Sequence, residues 1–529
     1  MTLRPSLLRQ ALLFFIVVVG AFIGLPNPYL QFAPAILLVP AGLYLIALSA
    51  CSALSAFRQS WLAAGAGSSC VVYWVAYPVH VYGQASLALA VPCALLVGTW
   101  LGLFGALFAV VCHCLQRITG VRDGKADSFA AALCISIAAG CGWAVLEAAK
   151  EVILTGFPWA TLASAFVAMP VMLQLASVVG GTGLGALLVC AACLLTHAVY
   201  INQGRMLPAV TGVALLGGIA VFGHITLSSP LPDGKPAMVS LIQGNINQDQ
   251  KWLPEYQQGT ADRYLSMSQG AVDKVRPDLL VWPETSMPFY YQEHALGETI
   301  REELRRLQTP LLLGTPGYIL GNKFGEYSTY NRAYLVSEKG KDIGFYDKEH
   351  LVPFGEYIPP FLELPFLRTM MQGVGDFTPG TRVAPLTVRN LVLGILICYE
   401  SIFSELAQQR VAAGATVLIN ISNDAWFGDT SAPYQHLQLT AVRAVEQGRY
   451  IARCTNTGIS AIIDPYGRIV ETGPLFKPAI ISGNVLGIST TTIYHTIYEA
   501  VVPALLLLFC LALAGCVALS RRHKASLQE

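Results

Sequence analysis

Cys398 ends an apolar run that reads VLGILIC over residues 392–398, and a helical pattern begins shortly afterwards near Ser404. A nucleophile at the turn between a strand and a helix is exposed at the top of a sheet, near backbone N–H groups that can hold an oxyanion. The thiolate is the reactive form of cysteine, so Cys398 needs a neighbouring base or cation. Considered alone, this residue fits a packed core cysteine better.

Two charged residues occur in settings that suit the same chemistry. Glu284 follows the strand-like run LLVWP, and a carboxylate partly removed from water becomes a better general base. Lys348 lies in YDKEHLVPFGEYIP, where a fixed ammonium can stabilise a tetrahedral intermediate. A salt-bridged surface glutamate and a solvated lysine are the ordinary alternatives when each residue is considered singly.

The segments around these residues predict a layered α/β domain. Short apolar, often β-branched runs alternate with helical patterns, which is typical of such a fold. The strand-like runs are 238–246, 279–282, 311–314, 333–337, 392–398, 416–421 and 460–464. The helical patterns are 261–275, 298–307, 404–413 and 435–448. The Pro-containing linker 228–236 marks the start of the domain.

The bulk composition indicates a membrane protein. Of the 529 residues, 54% are hydrophobic and 12% are charged, and the mean hydropathy is +0.54. Soluble domains carry about 25% charged residues. The charges concentrate in residues 236–490. A net charge of +1 gives no basic patch and argues against nucleic acid as a partner.

Several segments are apolar and long enough to cross a bilayer, which takes about 20 helical residues. They lie near 10–25, 29–50, 60–79, 86–114, 128–149, 177–199, 207–227 and 497–520. The sequence therefore predicts a membrane domain of about seven helices in 1–227, the α/β domain in 236–490 and a last helix at 497–520. The proline-broken apolar stretch from Thr155 to Pro170 predicts an interfacial or re-entrant segment, with a plain long loop as the alternative.

Basic residues in the short loops predict the orientation of these helices. One alternating set of segments carries nearly all of them, and the opposite set carries essentially Lys150 alone. The basic set contains Arg4, Arg9, Arg58, Arg117, Arg122, Lys125, Arg205, Arg521, Arg522 and Lys524. Basic loops stay in the cytoplasm, so both termini are expected there. An odd number of preceding spans then places the α/β domain outside the cytoplasm.

Six segments of the α/β part match one family pattern. They read QGNINQDQKW (243–252), VWPETSMP (281–288), YDKEHLVPFGEYIP (346–359), ICYESIF (397–403), ISNDAWFG (421–428) and CTNTGISAIIDPYGR (454–468). The membrane block adds TGFPW at 155–159. On these segments the chain resembles the nitrilase (carbon–nitrogen hydrolase) superfamily and, more closely, its membrane branch, the apolipoprotein N-acyltransferases. The resemblance covers essentially the whole chain and implies an αββα sandwich beside a multi-pass helical domain.

The resemblance also implies roles for individual residues. Glu284 is then the general base, Lys348 the oxyanion stabiliser and Cys398 the nucleophile. The supporting residues that it implies are Trp252, Glu356, Tyr399 and Glu400, of which Glu356 and Glu400 would hold the lysine and shape the pocket. Asn331, Asn423, Asp424 and Trp426 also match and are interpreted as structural or substrate-lining. His350 and His436 are interpreted as structural hydrogen-bonding residues.

The implied reaction moves an acyl chain from a phospholipid to the N-terminal amine of a diacylglyceryl-cysteine lipoprotein through a Cys398 thioester. The family implies a phosphatidylethanolamine-type donor, a bacterial inner membrane and a periplasmic catalytic domain. No metal-ligand cluster or phosphate loop occurs in the sequence, so no cofactor is expected. The apolar run Phe361–Leu367 and the pair Met370–Met371 are candidate lid or lipid-facing groups, with ordinary loop packing as the alternative.

Two other functions remain open from the sequence. A membrane-anchored amidase or nitrilase would use the same three residues with water as the acceptor. A transporter or scaffold would carry a catalytically inactive soluble domain. Against the second, the membrane block has few ionisable residues within its spans apart from Glu147 and Lys150, whereas transport paths usually need them.

Overall fold

The structure, a computed structural model, describes residues 7–121, 129–200, 205–321, 327–358 and 377–526. The described chain up to Ser228 is mainly helical and apolar, as the composition predicts. Its helices are α1 (Leu7–Gly24), α2 (Leu38–Ser49), α3 (Ala53–Val71), α4 (Ala76–Val81), α5 (Leu87–Ile118), α6 (Phe129–Lys150), α7 (Leu162–Ala165), α8 (Pro170–Leu173), α9 (Ala176–Tyr200) and α10 (Met206–Ser228).

Two sheets of six strands each follow in the described residues. The strands are β1 (Gly234–Gln243), β2 (Leu279–Val281), β3 (Leu311–Leu320), β4 (Tyr327–Val336), β5 (Asp342–Asp347), β6 (Leu386–Val388), β7 (Leu391–Ile397), β8 (Val417–Ser422), β9 (Ile451–Thr455), β10 (Ala461–Ile463), β11 (Ile469–Thr472) and β12 (Ala479–Ile488). The first sheet has the order β12-β1-β2-β3-β4-β5 and the second β11-β10-β9-β8-β7-β6. The neighbours β7, β8 and β9 run parallel, so their carboxyl ends lie at one edge.

The two sheets pack face to face, and helices cover their outer faces. Side chains alternate between the faces of a strand, so Ile395 and Ile397 of β7 join Val281 of β2 in the core between the sheets, whereas Leu396 faces outward. The remaining helices are α11 (Gln248–Lys251), α12 (Pro254–Val275), α13 (Ala295–Leu307), α14 (Ser404–Ala412), α15 (Ala432–Gln447) and α16 (Ile493–Ser526). Helices α12 and α13 cover the first sheet. The predicted αββα architecture beside apolar helices is confirmed.

The helix layer on the second sheet is shared with the apolar helices of the N-terminal part. Leu396 and Leu418 of this sheet lie in one continuous hydrophobic cluster with Val442 of α15 and Leu188 of α9. Helix α15 lies between the second sheet and the apolar N-terminal helices, which we call the bundle. Nearly all of its residues are therefore buried. The α/β domain is therefore docked on the bundle through α15.

The described helices that are long and apolar enough to cross a membrane are α1, α5, α6, α9, α10 and α16, and a bent pair adds up to one more. The pair joins Ala53–Val71 to Tyr73–Val81 with a bend of 60°, so the straight span predicted at 60–79 is broken. The span predicted at 29–50 is also shorter than expected, because the apolar helix there runs only over Ala33–Ser49. The basic residues Arg4, Arg122 and Lys125 lie outside the described residues.

The stretch from Thr155 to Pro170 forms neither a span nor an unstructured loop. It contains the short helix α7, and α8 begins at Pro170. Trp159, Leu162 and Phe166 are buried in the cluster that includes α15. The segment thus lies between the apolar N-terminal helices and the α/β domain, and its interfacial or re-entrant position in a membrane stays a prediction.

Candidate active site

Cys398 lies at the carboxyl end of β7, in a strained turn. The strand ends at Ile397, a 3-10 turn covers Cys398–Ile402, and Cys398 has a φ of +53°. A non-glycine residue pays for this left-handed conformation with strain, and such residues cluster at functional sites. Glu400 holds the turn, because its Oε2 accepts the N–H of Ile397 at 2.6 Å. The strand–turn–helix setting predicted for the nucleophile is present.

Lys348 reaches the same place from the end of β5. Its Nζ lies 2.8 Å from Glu356 Oε2 and 3.6 Å from Glu284 Oε1, and its side chain is 1% exposed. Burial alone would lower the pKa of Lys348, but the carboxylates of Glu356 and Glu284 raise it well above its ordinary value. The lysine is therefore a fixed cation throughout the physiological range.

Asn331 of β4 links the two carboxylates. Its Nδ2 donates to Glu284 Oε1 at 2.7 Å and to Glu356 Oε1 at 2.8 Å. Its carbonyl also accepts the backbone N–H of Lys348 at 2.9 Å. Asn331 therefore fixes three charged groups relative to one another, which is a larger role than the structural or lining position predicted for it.

The Cys398 thiol lies within the electric field of this group. Burial raises the pKa of the thiol well above its ordinary value, the Glu284 carboxylate raises it further, and the Lys348 ammonium lowers it. The thiol is consequently protonated at neutral pH. Attack by sulfur would need a base to take this proton, and Glu284 is the carboxylate whose charge acts most strongly on the thiol.

Glu400, which was predicted to hold the lysine together with Glu356, forms no ion pair with the Lys348 ammonium among the described residues, although the two charges interact at longer range. Its Oε1 accepts the backbone N–H groups of Glu349 at 2.7 Å and His350 at 3.1 Å, and the Tyr346 hydroxyl at 2.8 Å. A fully buried carboxylate needs such donors. Glu400 therefore connects the Cys398 turn to the backbone that follows Lys348.

The other predicted supporting residues lie around this centre. Tyr399 is buried, and its hydroxyl donates at 2.9 Å to the carbonyl of Gly156, in the stretch from Thr155 to Pro170. Trp252 is 48% exposed just after α11, so it presents an open apolar surface. The candidate lid residues Phe361–Leu367 and Met370–Met371 lie outside the described residues.

A buried polar network contacts the backbone of Cys398. Asp424 pairs with Arg453 at 2.8 Å and with His436 Nδ1 at 3.2 Å, and His436 Nε2 lies 3.2 Å from the Cys398 carbonyl. Burial would raise the pKa of the Asp424 carboxyl, but Arg453 and His436 hold it well below its usual range. His436 reaches only the backbone of Cys398, as a structural residue does. The His350 ring packs 4.1 Å from that of Phe403.

Two residues near the site were not predicted from the sequence. Lys251 is buried with its Nζ 3.5 Å from the Glu284 carbonyl. Gln435 of α15 accepts from the indoles of Trp74 and Trp159 at 3.0 and 2.6 Å, and donates to the Pro26 and Val71 carbonyls at 3.3 and 3.1 Å. Lys251 lies beside Trp252 in the segment QGNINQDQKW, which matches the family pattern, so the sequence pointed to its position. No sequence feature pointed to Gln435. Among the described residues, no group of three or more His, Cys, Asp or Glu side chains is placed to hold a metal ion.

The sandwich, with a buried carboxylate, ammonium and thiol at the end of its strands, defines a domain of the carbon–nitrogen hydrolase class. Residues 238–486 match the carbon-nitrogen hydrolase family, and residues 19–194 match the apolipoprotein N-acyltransferase N-terminal domain. A carbon-nitrogen hydrolase of solved structure from Helicobacter pylori G27 aligns with 47% of this chain and 89% of its own, at 15% identity and a TM-score of 0.36.

Longer matches extend through both parts of the chain. An apolipoprotein N-acyltransferase from Geobacter metallireducens is 36% identical, and the match covers 81% of each chain. A protein of the same name from Methylococcus capsulatus is 34% identical over 86% of each chain. The chain belongs to the apolipoprotein N-acyltransferase family.

Proposed function

We propose that this chain is an N-acyltransferase that moves an acyl chain from a membrane phospholipid to the N-terminal amine of a lipoprotein, through a thioester on Cys398. The observation that supports this most directly is the buried group of Glu284, Lys348 and Cys398 at the end of β7. The domain that carries it is docked on apolar helices, and relatives over most of the chain bear the acyltransferase name.

In the first half-reaction, Cys398 Sγ attacks the ester carbonyl of the donor while Glu284 accepts the thiol proton. Lys348, with the backbone N–H of Tyr399, stabilises the negative charge on the carbonyl oxygen. The bond between the acyl carbon and the glycerol oxygen breaks, and Glu284 returns its proton to that oxygen. The products are a lysophospholipid and a thioester, with a phosphatidylethanolamine-type lipid as the proposed donor.

In the second half-reaction, the uncharged amine of a diacylglyceryl-cysteine attacks the thioester carbonyl. Glu284 accepts a proton from the attacking nitrogen, and the carbon–sulfur bond breaks as the amide forms. The proton then passes to sulfur, so the free thiol is restored. Because one site serves both steps in turn, ping-pong kinetics are expected.

The membrane helices fit this chemistry because both substrates are anchored in a bilayer by acyl chains. Burial of such chains is worth about 0.8 kcal/mol per CH₂, so lipids do not reach a site far from the membrane surface. We propose a membrane domain in 1–227, the catalytic domain in 236–490 on the periplasmic side of a bacterial inner membrane, a final span at 497–520 and both termini in the cytoplasm.

The hydrolytic alternative has less support. An amidase would need the same three side chains but no helical domain, and the N-terminal match belongs to the acyltransferase family. The two differ in product, since an amidase transfers the acyl group to water. Measurement of amide product against free fatty acid in one reaction distinguishes them.

Substitution of the nucleophile tests the proposal. The Cys398→Ala variant should lose at least about 1,000-fold in transfer activity, because a covalent route has no substitute for the attacking atom. The Cys398→Ser variant should retain little. Cys454→Ala, which changes a buried core thiol on β9, is the matched control and should stay active. Full activity in Cys398→Ala would remove the covalent mechanism.

A further inference from the structure

Lys251 is a buried lysine beside the proposed general base. It is 1% exposed at the end of α11, and its Nζ lies 3.5 Å from the Glu284 carbonyl oxygen. Lysine is almost never fully buried unless it is paired. The neighbouring charge that acts on it is Glu284, and burial lowers the pKa of Lys251 to about 8 against the opposing effect of that carboxylate. Lys251 is therefore mainly an ammonium at pH 7.

The charges of the site explain why a second cation is needed. Glu284 and Glu356 are two buried carboxylates, and both lie within 4 Å of the single ammonium of Lys348. The Cys398 thiol is neutral at rest, so these groups alone leave an unbalanced negative charge in a buried site. An unpaired buried charge is strongly unfavourable. Lys251 supplies the missing positive charge on the Glu284 side.

The other charged groups near the site are ion-paired, lie in solvent or, like Glu400, are bound by backbone N–H groups. Asp424, whose charge also reaches Cys398, is paired with Arg453 at 2.8 Å. Asp249, on the same short helix as Lys251, is exposed. Among the described residues that face Glu284, the cations are thus Lys348 from the end of β5 and Lys251 from α11.

The loop that carries Lys251 is anchored independently of it. Asn423 donates to the Gln248 side chain at 2.8 Å. Asn456 bonds to both the N–H and the carbonyl of Ile246, each at 2.9 Å. These bonds fix the segment before Lys251 to the ends of β8 and β9. The lysine can therefore be changed without releasing the loop.

We infer that Lys251 is a positioning residue for the acyl-transfer reaction: its ammonium holds the Glu284 backbone and keeps the carboxylate ionised and ready to accept the Cys398 proton. This inference rests on the proposed acylation of Cys398. Removal of a cation beside a carboxylate disfavours the charged, basic form. Loss of Lys251 should therefore move the acidic side of the pH–rate profile to higher pH.

The test is the single-turnover rate of acyl-enzyme formation with labelled phosphatidylethanolamine, measured on the full-length protein in micelles from pH 5 to 9. For Lys251→Met, the acidic half-point should rise by about one pH unit or more. Lys251→Gln, which keeps a donor for the Glu284 carbonyl but no charge, should shift equally. Lys251→Arg should keep the wild-type half-point, and so should Lys274→Met, which changes an exposed lysine on α12.

The outcomes separate this inference from the proposed function. If the wild-type protein forms no acyl-enzyme, the proposed function fails. If wild type is acylated and both uncharged variants keep its acidic half-point, Lys251 has only a structural role. If Lys251→Met shifts but Lys251→Gln does not, the hydrogen bond matters and the charge does not, which also overturns the inference. Should Lys251→Met not fold, the comparison of the Gln and Arg variants decides.

Discussion

Two carboxylates share the Lys348 ammonium, and their distances suit different tasks. Glu356 lies at 2.8 Å, a close charge-assisted pair, whereas Glu284 lies at 3.6 Å. Glu356 also accepts the backbone N–H of Val352 at 2.8 Å, so its oxygens are occupied. Glu284 Oε1 accepts from Asn331 at 2.7 Å but lies farther from the ammonium. This difference fits the proposal that Glu356 fixes the lysine and Glu284 acts as the base.

The substitution Glu356→Gln tests this division of roles. It removes a charge from a buried pair without changing the shape of the side chain, and breaking such a pair costs about 3–5 kcal/mol. We expect a lower thermal midpoint and at least about tenfold slower acyl-enzyme formation, measured by differential scanning fluorimetry and single-turnover labelling. Glu303→Gln, in an exposed pair with Arg306 at 2.7 Å, is the matched control and should change stability by about 1 kcal/mol or less. Equal effects of the two substitutions would contradict the argument.

At the scale of elements, strands with continuous apolar runs were predictable and the others were not. Strand β7 reads as a buried strand, and its end at Ile397 matches the predicted position of the nucleophile. Strand β11 is exposed along its whole length, so hydrophobicity does not reveal it. Strand β9 contains Arg453, which is buried only because Asp424 pairs with it from another segment. Such long-range compensation has no local sequence signal.

The candidate site shows the same limit. The sequence motifs around Glu284, Lys348 and Cys398 predicted which side chains would lie close together. They did not predict that Glu400 binds backbone N–H groups instead of the lysine, because the backbone path after Lys348 is set by tertiary packing. The segment QGNINQDQKW pointed to the position of Lys251 but not to its burial, since a lysine in a polar segment resembles a solvated one.

The docking of helix α15 on the N-terminal helices can be tested by substitution of Gln435. Gln435 on α15 satisfies two indole N–H groups and two backbone carbonyls of the N-terminal part. Gln435→Leu would leave these groups without partners, at about 1–3 kcal/mol each. We expect a thermal midpoint several degrees lower and faster limited proteolysis between the two parts of the protein. Gln269→Leu, on the exposed face of α12, is the control. An unchanged midpoint in Gln435→Leu would show that α15 does not depend on this residue for docking.

For the whole molecule, orientation decides which pool of lipids and lipoproteins the site meets. The proposed orientation counts the shorter apolar helix Ala33–Ser49 and the bent pair as one span each. Arg58 near the start of α3, Arg117 near the end of α5 and Arg205 before α10 then occupy connections on the same side. The α/β domain follows α10, whose other end lies on the opposite side. In the proposed orientation this domain lies outside the cytoplasm, as the positive-inside rule predicts from these basic residues.

Reporter fusions test this orientation. Green fluorescent protein fused after Glu529 should fluoresce, because the basic C-terminal end is expected in the cytoplasm. Alkaline phosphatase fused after residue 490, ahead of α16, should be active, because that point is expected on the periplasmic side. The converse pair of fusions serves as the control. A fluorescent fusion at residue 490 would place the catalytic domain in the cytoplasm and exclude the proposed substrates.

The central claim is that Cys398 becomes acylated. Mass spectrometry of the peptide that contains Cys398 tests this claim most directly. The purified protein is incubated with phosphatidylethanolamine that carries an isotope-labelled acyl chain, without acceptor, and then digested. The peptide that contains Cys398 should gain the mass of the labelled acyl group, and neutral hydroxylamine should remove it. A parallel reaction with a lipoprotein acceptor completes the test. If it turns labelled lipid into acylated lipoprotein while the Cys398 peptide stays unmodified at every time point, both with and without acceptor, a thioester on Cys398 is contradicted.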